Sequence, residues 1–231
     1  LISCAAALAA HKLQKPVKIW LPFETNMNII GKRYPIVCDY EVGLDNSGTI
    51  QYLNNTLYSD YGAGKNEPNI PLLLEIFMES YNSSTWHVKA FSTNTNTVAN
   101  CYIRAPGSCE GLAMIEAIME HVAVALNIDP TELRLKNINK EKHERLTKFI
   151  KELNTWADID IRKREIKKFN EENRWKKRGL AVVPMVFPFM LFGSYGVIVS
   201  IYKSDGTVSI AHGGVEMGQG INTKVRLTFC V

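Results

Sequence analysis

Val208-Ser209-Ile210-Ala211-His212-Gly213-Gly214-Val215-Glu216-Met217-Gly218-Gln219-Gly220, near the end of a 231-residue sequence, runs from a β-branched stretch straight into a loop holding four glycines. Glycine admits φ > 0 and lets another group approach the backbone. A glycine-rich loop with one amide side chain, Gln219, therefore reads as a cradle for a polar, phosphorylated group. A lone G-x-G reads as an ordinary surface turn instead. The preceding residues favour the cradle: Val197 to Tyr202 and Thr207 to Ala211 are strand-like, and Lys203-Ser204-Asp205-Gly206 joins them with the Asp-Gly pair of a hairpin. A rigid hairpin delivers the loop.

Upstream, a second hairpin is expected where Ile36 to Leu44 and Thr49 to Tyr58 flank Asp45-Asn46-Ser47-Gly48. Leu1 to Leu13 is Ala-rich and helical, and Val17 to Leu21 reads as a short strand. Tyr61 to Gly64 and Pro68 to Pro71 read as loop. Phe91 to Asn100 is almost wholly Thr, Ser and Asn, which by composition is a solvated linker. It leads, however, through Arg104-Ala105-Pro106-Gly107-Ser108 into Glu110 to Leu126, where Leu112, Ile115, Met119, Val122 and Leu126 recur at helical spacing. A glycine-bearing loop opening onto a helix N-terminus favours an anion; a plain helix entry is the bland alternative. Asp129 suits an N-cap and Pro130 the first helical position. Asp158 to Arg178 reads as a long basic helix with Ile159, Ile166 and Phe169 on one face and Gly179 as its stop.

The formal charge of +4 is mild, and much of it lies between Arg162 and Arg178. Glu165, Glu171 and Glu172 interrupt that cluster and no aromatic stacking pattern accompanies it, so a solvated face is favoured over a nucleic-acid surface. Five scattered cysteines, without C-x-x-C, argue against a disulfide scaffold or a zinc or iron–sulfur site in this chain and suit a reduced, cytoplasmic setting. Ala181 to Ser200 is apolar, but Pro184, Pro188, Gly193 and Gly196 would break a membrane helix repeatedly, and buried strands and turns are expected instead. Starting at Leu1 in what reads as mid-helix, the chain is expected to be a piece of a longer one.

Three segments taken in order carry a resemblance: Ile103-Arg104-Ala105-Pro106-Gly107-Ser108, Asp129-Pro130 through Leu133-Arg134-Leu135-Lys136-Asn137, and Gly213 through Lys224. With Ala5 to Ala10, Arg162-Lys163-Arg164-Glu165 and Asn173 to Gly179, they make nearly the whole chain similar to the molybdenum hydroxylase family of aldehyde oxidases and xanthine dehydrogenases. The resemblance implies an α/β (α+β) fold made of two facing molybdopterin-binding domains, both incomplete. Residues 1–157 would be the first domain, and 158–231 a linker helix with the start of the second.

By the same resemblance, Arg104 lies against the molybdenum centre, Met217, Gly218 and Gln219 contact the pterin, and Phe187 walls the substrate pocket. No direct metal ligand comes from the chain. The implied reaction oxidises aldehydes to carboxylic acids by water-derived hydroxylation at the metal, with electrons passing to 2Fe-2S centres and FAD in domains outside this chain. The family's base would lie beyond Val231, so no catalytic residue is expected here; Glu216 matches a structural position. Where xanthine dehydrogenases carry phenylalanine two residues after the arginine, this chain has Pro106. That removes half of an aromatic clamp for a purine and favours the aldehyde oxidase branch; a purine hydroxylase is the alternative. Arg226 to Val231 departs from the family's pattern. The expected partners are a small aldehyde or N-heterocycle, with no nucleic acid or membrane, in a homodimeric parent. A second alternative is a non-catalytic fragment, poorly soluble alone, or a module that binds an acidic partner through the basic helix.

Overall fold

The Asp45 to Gly48 turn closes a hairpin between β1 (Ile36–Leu44) and β2 (Ile50–Asp60), which pair antiparallel from Ile36 opposite Ser59 to Leu44 opposite Ile50. Asp45 drives this turn, since its Oδ1 accepts from the Ser47 and Thr49 amides, both at 2.9 Å, and from the Ser47 hydroxyl at 2.7 Å. Those donors, the Ser47 hydroxyl foremost, hold its carboxyl below the usual range. The computed structural model describes residues 2–29, 31–187 and 193–229. It divides into two units, Leu1–Phe187 and Pro188–Val231.

In the first unit the chain leaves β2 through α3 (Asn69–Glu79) and returns as β3 (Trp86–Thr93), which pairs with β2 in parallel, Leu53 opposite Trp86. The sheet order is β1-β2-β3. The 68–71 segment, a loop by composition, thus opens a helix: Pro71 occupies the first turn, where a missing N–H costs nothing, and Leu73, Ile76 and Phe77 are buried. The linker reading of 91–100 gives way in part as well, because Phe91 to Thr93 belong to β3.

The helices α4 (Ser108–Leu126) and α5 (Pro130–Asn137) complete the core. Leu53 and Leu57 of β2, Leu73 and Phe77 of α3, Ile115 and Met119 of α4 and Leu133 of α5 are all at most 1 % exposed. Each such side chain contributes roughly 1.5–3 kcal/mol by leaving water. Asn137 ties α5 to the first hairpin, its Oδ1 accepting from the Ile50 amide at 2.8 Å and its Nδ2 donating to the Gly48 carbonyl at 2.9 Å.

Asp129 caps α5 as its sequence position implies, accepting from the Thr131 and Glu132 amides at 2.9 and 3.2 Å. Its other oxygen receives Lys163 at 2.6 Å. Burial pushes this carboxyl up, but Lys163 and the two amides outweigh burial and leave it below the usual carboxylate range. A depressed folded value stabilises above the unfolded pKa, about 3.9, and that contribution disappears as pH falls through the folded value. Asp129→Ala is expected to cost about 1 kcal/mol. Asp129→Asn keeps an oxygen for the cap and costs less. Urea midpoints at pH 7 and pH 3 check this, and a wild-type advantage over Asp129→Asn that does not shrink on acidification would contradict it.

Beyond α5 come α6 (Glu144–Trp156) and α7 (Ile159–Glu172). The basic helix ends at Glu172, short of the expected Gly179. Asn173 turns the chain out at φ −121°, and its Nδ2 donates to the Phe169 carbonyl at 2.9 Å. Arg178 then folds back to place its guanidinium 3.8 Å from the Phe169 ring centre. The strand expected at Val17 to Leu21 does not form: it lies between Pro16 and Pro22, and no described strand pairs with it. α1 (Ile2–Leu13) precedes it and α2 (Phe23–Ile29) follows.

In the second unit β4 (Val197–Ile201) and β5 (Val208–His212) pair antiparallel across the Asp205-Gly206 turn, and α8 (Ile221–Phe229) follows the glycine loop. The burial expected over Ala181 to Ser200 is not found in the described residues. Val182 is buried, but Val183, Met185, Phe187 and most of β4 are exposed. Residues 188–192, within that expectation, lie outside the described residues, as do Leu1, Cys230 and Val231. Among the described residues no single helix is long and apolar enough to cross a membrane.

Candidate functional site

The turn that enters α4 is held in an uncommon backbone conformation. Arg104 and Ala105 have φ of 25° and 54°, and Gly107 has φ of 68°. For residues with a Cβ such a conformation costs on the order of 1–3 kcal/mol and persists only where the surroundings enforce it. Here they do. A Cβ on Gly107 would lie 2.7 Å from the Leu72 Cβ and 2.8 Å from the Leu73 amide nitrogen, so α3 presses directly on the turn. The Ser108 hydroxyl donates to the Pro106 carbonyl at 3.4 Å. On the other side Arg33, just ahead of β1, donates to the Arg104 carbonyl at 2.7 Å.

This turn forms one side of a cavity of about 500 Å³. Arg33, Arg104, Cys109 and Leu112 line it together with Glu116, Met185 and Phe187. Two residues singled out in the sequence, Arg104 and Phe187, therefore meet at one cavity. Pro106 lies on the same turn, half-buried, but is not among the lining residues. Largely apolar walls with a guanidinium on one side suit a flat apolar body that presents an oxygen to the cation.

Glu116 sits at the inner side of the cavity within a network no sequence pattern announced. Tyr81 donates to Glu116 Oε1 at 2.6 Å, Arg134 Nε donates to Glu116 Oε2 at 2.6 Å, and Arg134 Nη2 donates to Glu120 at 2.7 Å. Burial raises the Glu116 carboxyl despite the Tyr81 and Arg134 donors. Burial, with Glu116 opposite, also holds the Tyr81 phenol far above its ordinary range and keeps it a donor. Arg134 is 1 % exposed.

In the second unit the 213–220 loop is organised by its own side chains. Glu216 Oε1 accepts from the Gly218 and Gly220 amides at 2.8 and 3.0 Å, and these donors, Gly220 first, hold its carboxyl below the usual range. Glu216 thus closes the loop on itself. Gln219 Oε1 accepts from the Met217 amide at 2.6 Å, and its Nε2 donates to the Val215 carbonyl at 2.7 Å. Gly218 and Gly220 have φ of 100° and 72°, and a Cβ on either would meet nothing within 4 Å. Main chain is therefore open at both, and Met217 is 82 % exposed beside them. Open main chain at Gly218 and Gly220 leaves room for a flat polar group to approach the backbone of this loop. Among the described residues no group of His, Cys, Asp or Glu is arranged to hold a metal ion directly.

Comparison with known proteins bears on the same residues. A family model described as a molybdopterin cofactor-binding domain matches residues 1–138, and a second of the same description matches residues 152–229. The chain is 34 % identical over 245 residues to an indole-3-acetaldehyde oxidase of Zea mays, covering 97 % of the chain and 18 % of that relative. It is also 34 % identical over 244 residues to the xanthine dehydrogenase/oxidase of Rattus norvegicus, with the same two coverages. It thus spans about a fifth of the length of these relatives. Among solved structures, an aldehyde oxidoreductase from Desulfovibrio desulfuricans superposes with a TM-score of 0.66 at 20 % identity, over 90 % of the chain and 24 % of its own. Quinoline 2-oxidoreductase from Pseudomonas putida 86 gives 0.68 at 15 %, over 96 % and 32 %. These two likenesses concern the fold.

Proposed function

Since the chain belongs to the molybdopterin cofactor-binding domains of the aldehyde oxidase and xanthine dehydrogenase family, we propose that it forms part of a molybdenum-dependent oxidoreductase converting aldehydes to carboxylic acids. Residues 1–157 serve as its first cofactor-binding domain and 158–231 as the start of the second. The observation that carries this reading is the pair of open glycines, Gly218 and Gly220, on a loop whose turns are closed by Glu216 and Gln219.

In this reading Met217, Gly218 and Gln219 receive the pterin, and Arg104 faces the reacting centre. When bound, the cofactor would supply the two-electron redox chemistry of the reaction. The chain's own residues bind and orient. Arg104 holds the substrate oxygen and stabilises negative charge growing on it, while Phe187 and Leu112 hold the apolar body and exclude water. Electrons leave to 2Fe-2S centres and FAD carried elsewhere in a homodimeric enzyme. Relatives of both substrate classes are equally similar to the chain. Pro106 favours the aldehyde, because a proline two residues after Arg104 offers no aromatic ring to stack on a purine.

The complete enzyme tests the proposal through its molybdenum content and its turnover of an aromatic aldehyde against xanthine. Bound molybdenum and preference for the aldehyde are expected. Gln219→Ala, which removes both hydrogen bonds by which this side chain braces the loop, should lower retained molybdenum at least about fivefold, the effect of about 1 kcal/mol. Aldehyde turnover without molybdenum would refute the cofactor assignment, and faster xanthine turnover would refute the branch.

A further inference from the structure

Arg33 was not marked by any motif, yet it reaches the turn that carries Arg104 from 71 residues away in sequence. Its Nη2 donates to the Arg104 carbonyl at 2.7 Å, and its Nη1 approaches the Ala105 carbonyl at 3.4 Å and Glu110 Oε2 at 3.3 Å. One planar guanidinium thus spans two consecutive carbonyls and a carboxylate. An ammonium, as a point charge, cannot reproduce that fork. The carbonyls belong to Arg104 and Ala105, two consecutive members of the five non-glycine residues with positive φ among the described residues, where enforcement from outside is required. The Ala105 carbonyl also accepts the Cys109 amide at 3.1 Å in the first turn of α4, so the same oxygen joins Arg33 to the helix.

Charge completes the picture. Arg33 and Arg104 line one cavity, and two uncompensated guanidinium groups there would repel each other. Glu110, only 6 % exposed and in the first turn of α4, pairs with Arg33 and leaves Arg104 as the cation available to a ligand. The segment ahead of β1 is also tied to the chain leading into this turn: the Cys101 amide, three residues before Arg104, donates to the Lys32 carbonyl at 3.0 Å.

We propose that Arg33, neutralised by Glu110, is a positioning residue that clamps the Arg104-Ala105 carbonyls and so sets where the Arg104 side chain stands in the cavity. The relevance of this clamp to catalysis rests on the function proposed above; the clamp itself needs no cofactor. Arg33→Gln and Arg33→Lys variants of the 231-residue chain, compared by native-state hydrogen exchange and by the arginine Nε–Hε resonances, test it. Loss of a charge-assisted hydrogen bond predicts that the Cys109 amide exchanges on the order of ten- to a hundredfold faster in Arg33→Gln. The Met119 amide in mid-α4 should keep its rate, and the Arg104 Nε–Hε resonance should move while that of Arg134, buried against Glu116, stays in place. Arg33→Lys should resemble the Gln variant, because charge alone does not rebuild the fork. Unchanged Cys109 exchange would overturn the clamp. So would acceleration at Met119 equal to that at Cys109, which would make Arg33 a general stability residue, or full rescue by lysine. None of these results depends on molybdenum, so failure of the clamp and failure of the proposed function are read separately.

Discussion

Arg134→Met is expected to lower the stability of the first unit by about 3–5 kcal/mol, the effect of leaving a buried carboxylate without its cation. Arg134 is 1 % exposed and holds Glu116 and Glu120 at 2.6 and 2.7 Å. Truncating it strands Glu116, whose remaining donor, Tyr81, cannot neutralise a charge. Removing the stranded partner as well should recover most of the loss: Glu116→Leu with Arg134→Met is expected within about 1–2 kcal/mol of wild type, since well-packed apolar groups often replace a buried pair at little cost. Tryptophan fluorescence in urea can follow this, because Trp86 is 8 % exposed whereas Trp20, Trp156 and Trp175 are 75 %, 84 % and 87 % exposed. A single-variant loss under about 1 kcal/mol, within the range of an exposed pair, would mean that the network contributes little.

Gly107→Ala should be nearly as damaging, at roughly 2–5 kcal/mol, from overpacking of about 1–3 and a left-handed Cβ penalty of about 1–2. The new methyl would meet Leu72 Cβ at 2.7 Å and the Leu73 nitrogen at 2.8 Å, and the latter is backbone that cannot rotate away. Gly179→Ala is the control, because a Cβ there meets nothing within 4 Å. Equal urea midpoints for the two variants would show that α3 does not press on this turn.

Local chemistry explains what the sequence made legible. Asp45-Gly48 and Asp205-Gly206 specify their hairpins through side chains that bond their own turns, and Asp129-Pro130 specifies a helix start in the same self-contained way. α3 and β3 were obscured because Pro68 and Pro71 resemble a loop and because Phe91-Ser92-Thr93 is mostly polar, while the parallel pairing that orders it comes from a strand far away in sequence. α6 buries only Ile150 and starts without a side-chain cap, so little marks its limits. At the candidate site the glycine loop and Arg104 were visible as motifs. Arg33, Glu116 and Arg134 were not, because their roles exist only once β1, α4 and α5 are packed together.

The loop between β5 and α8 is braced by its own side chains. With Glu216 and Gln219 already bonded to its amides and carbonyls, it holds its shape before any guest arrives, and docking freezes little further motion. Such preorganisation favours tight, slowly released ligands. It also makes the loop intolerant of a guest of a different outline, because accommodating one would first require breaking bonds the loop makes to itself.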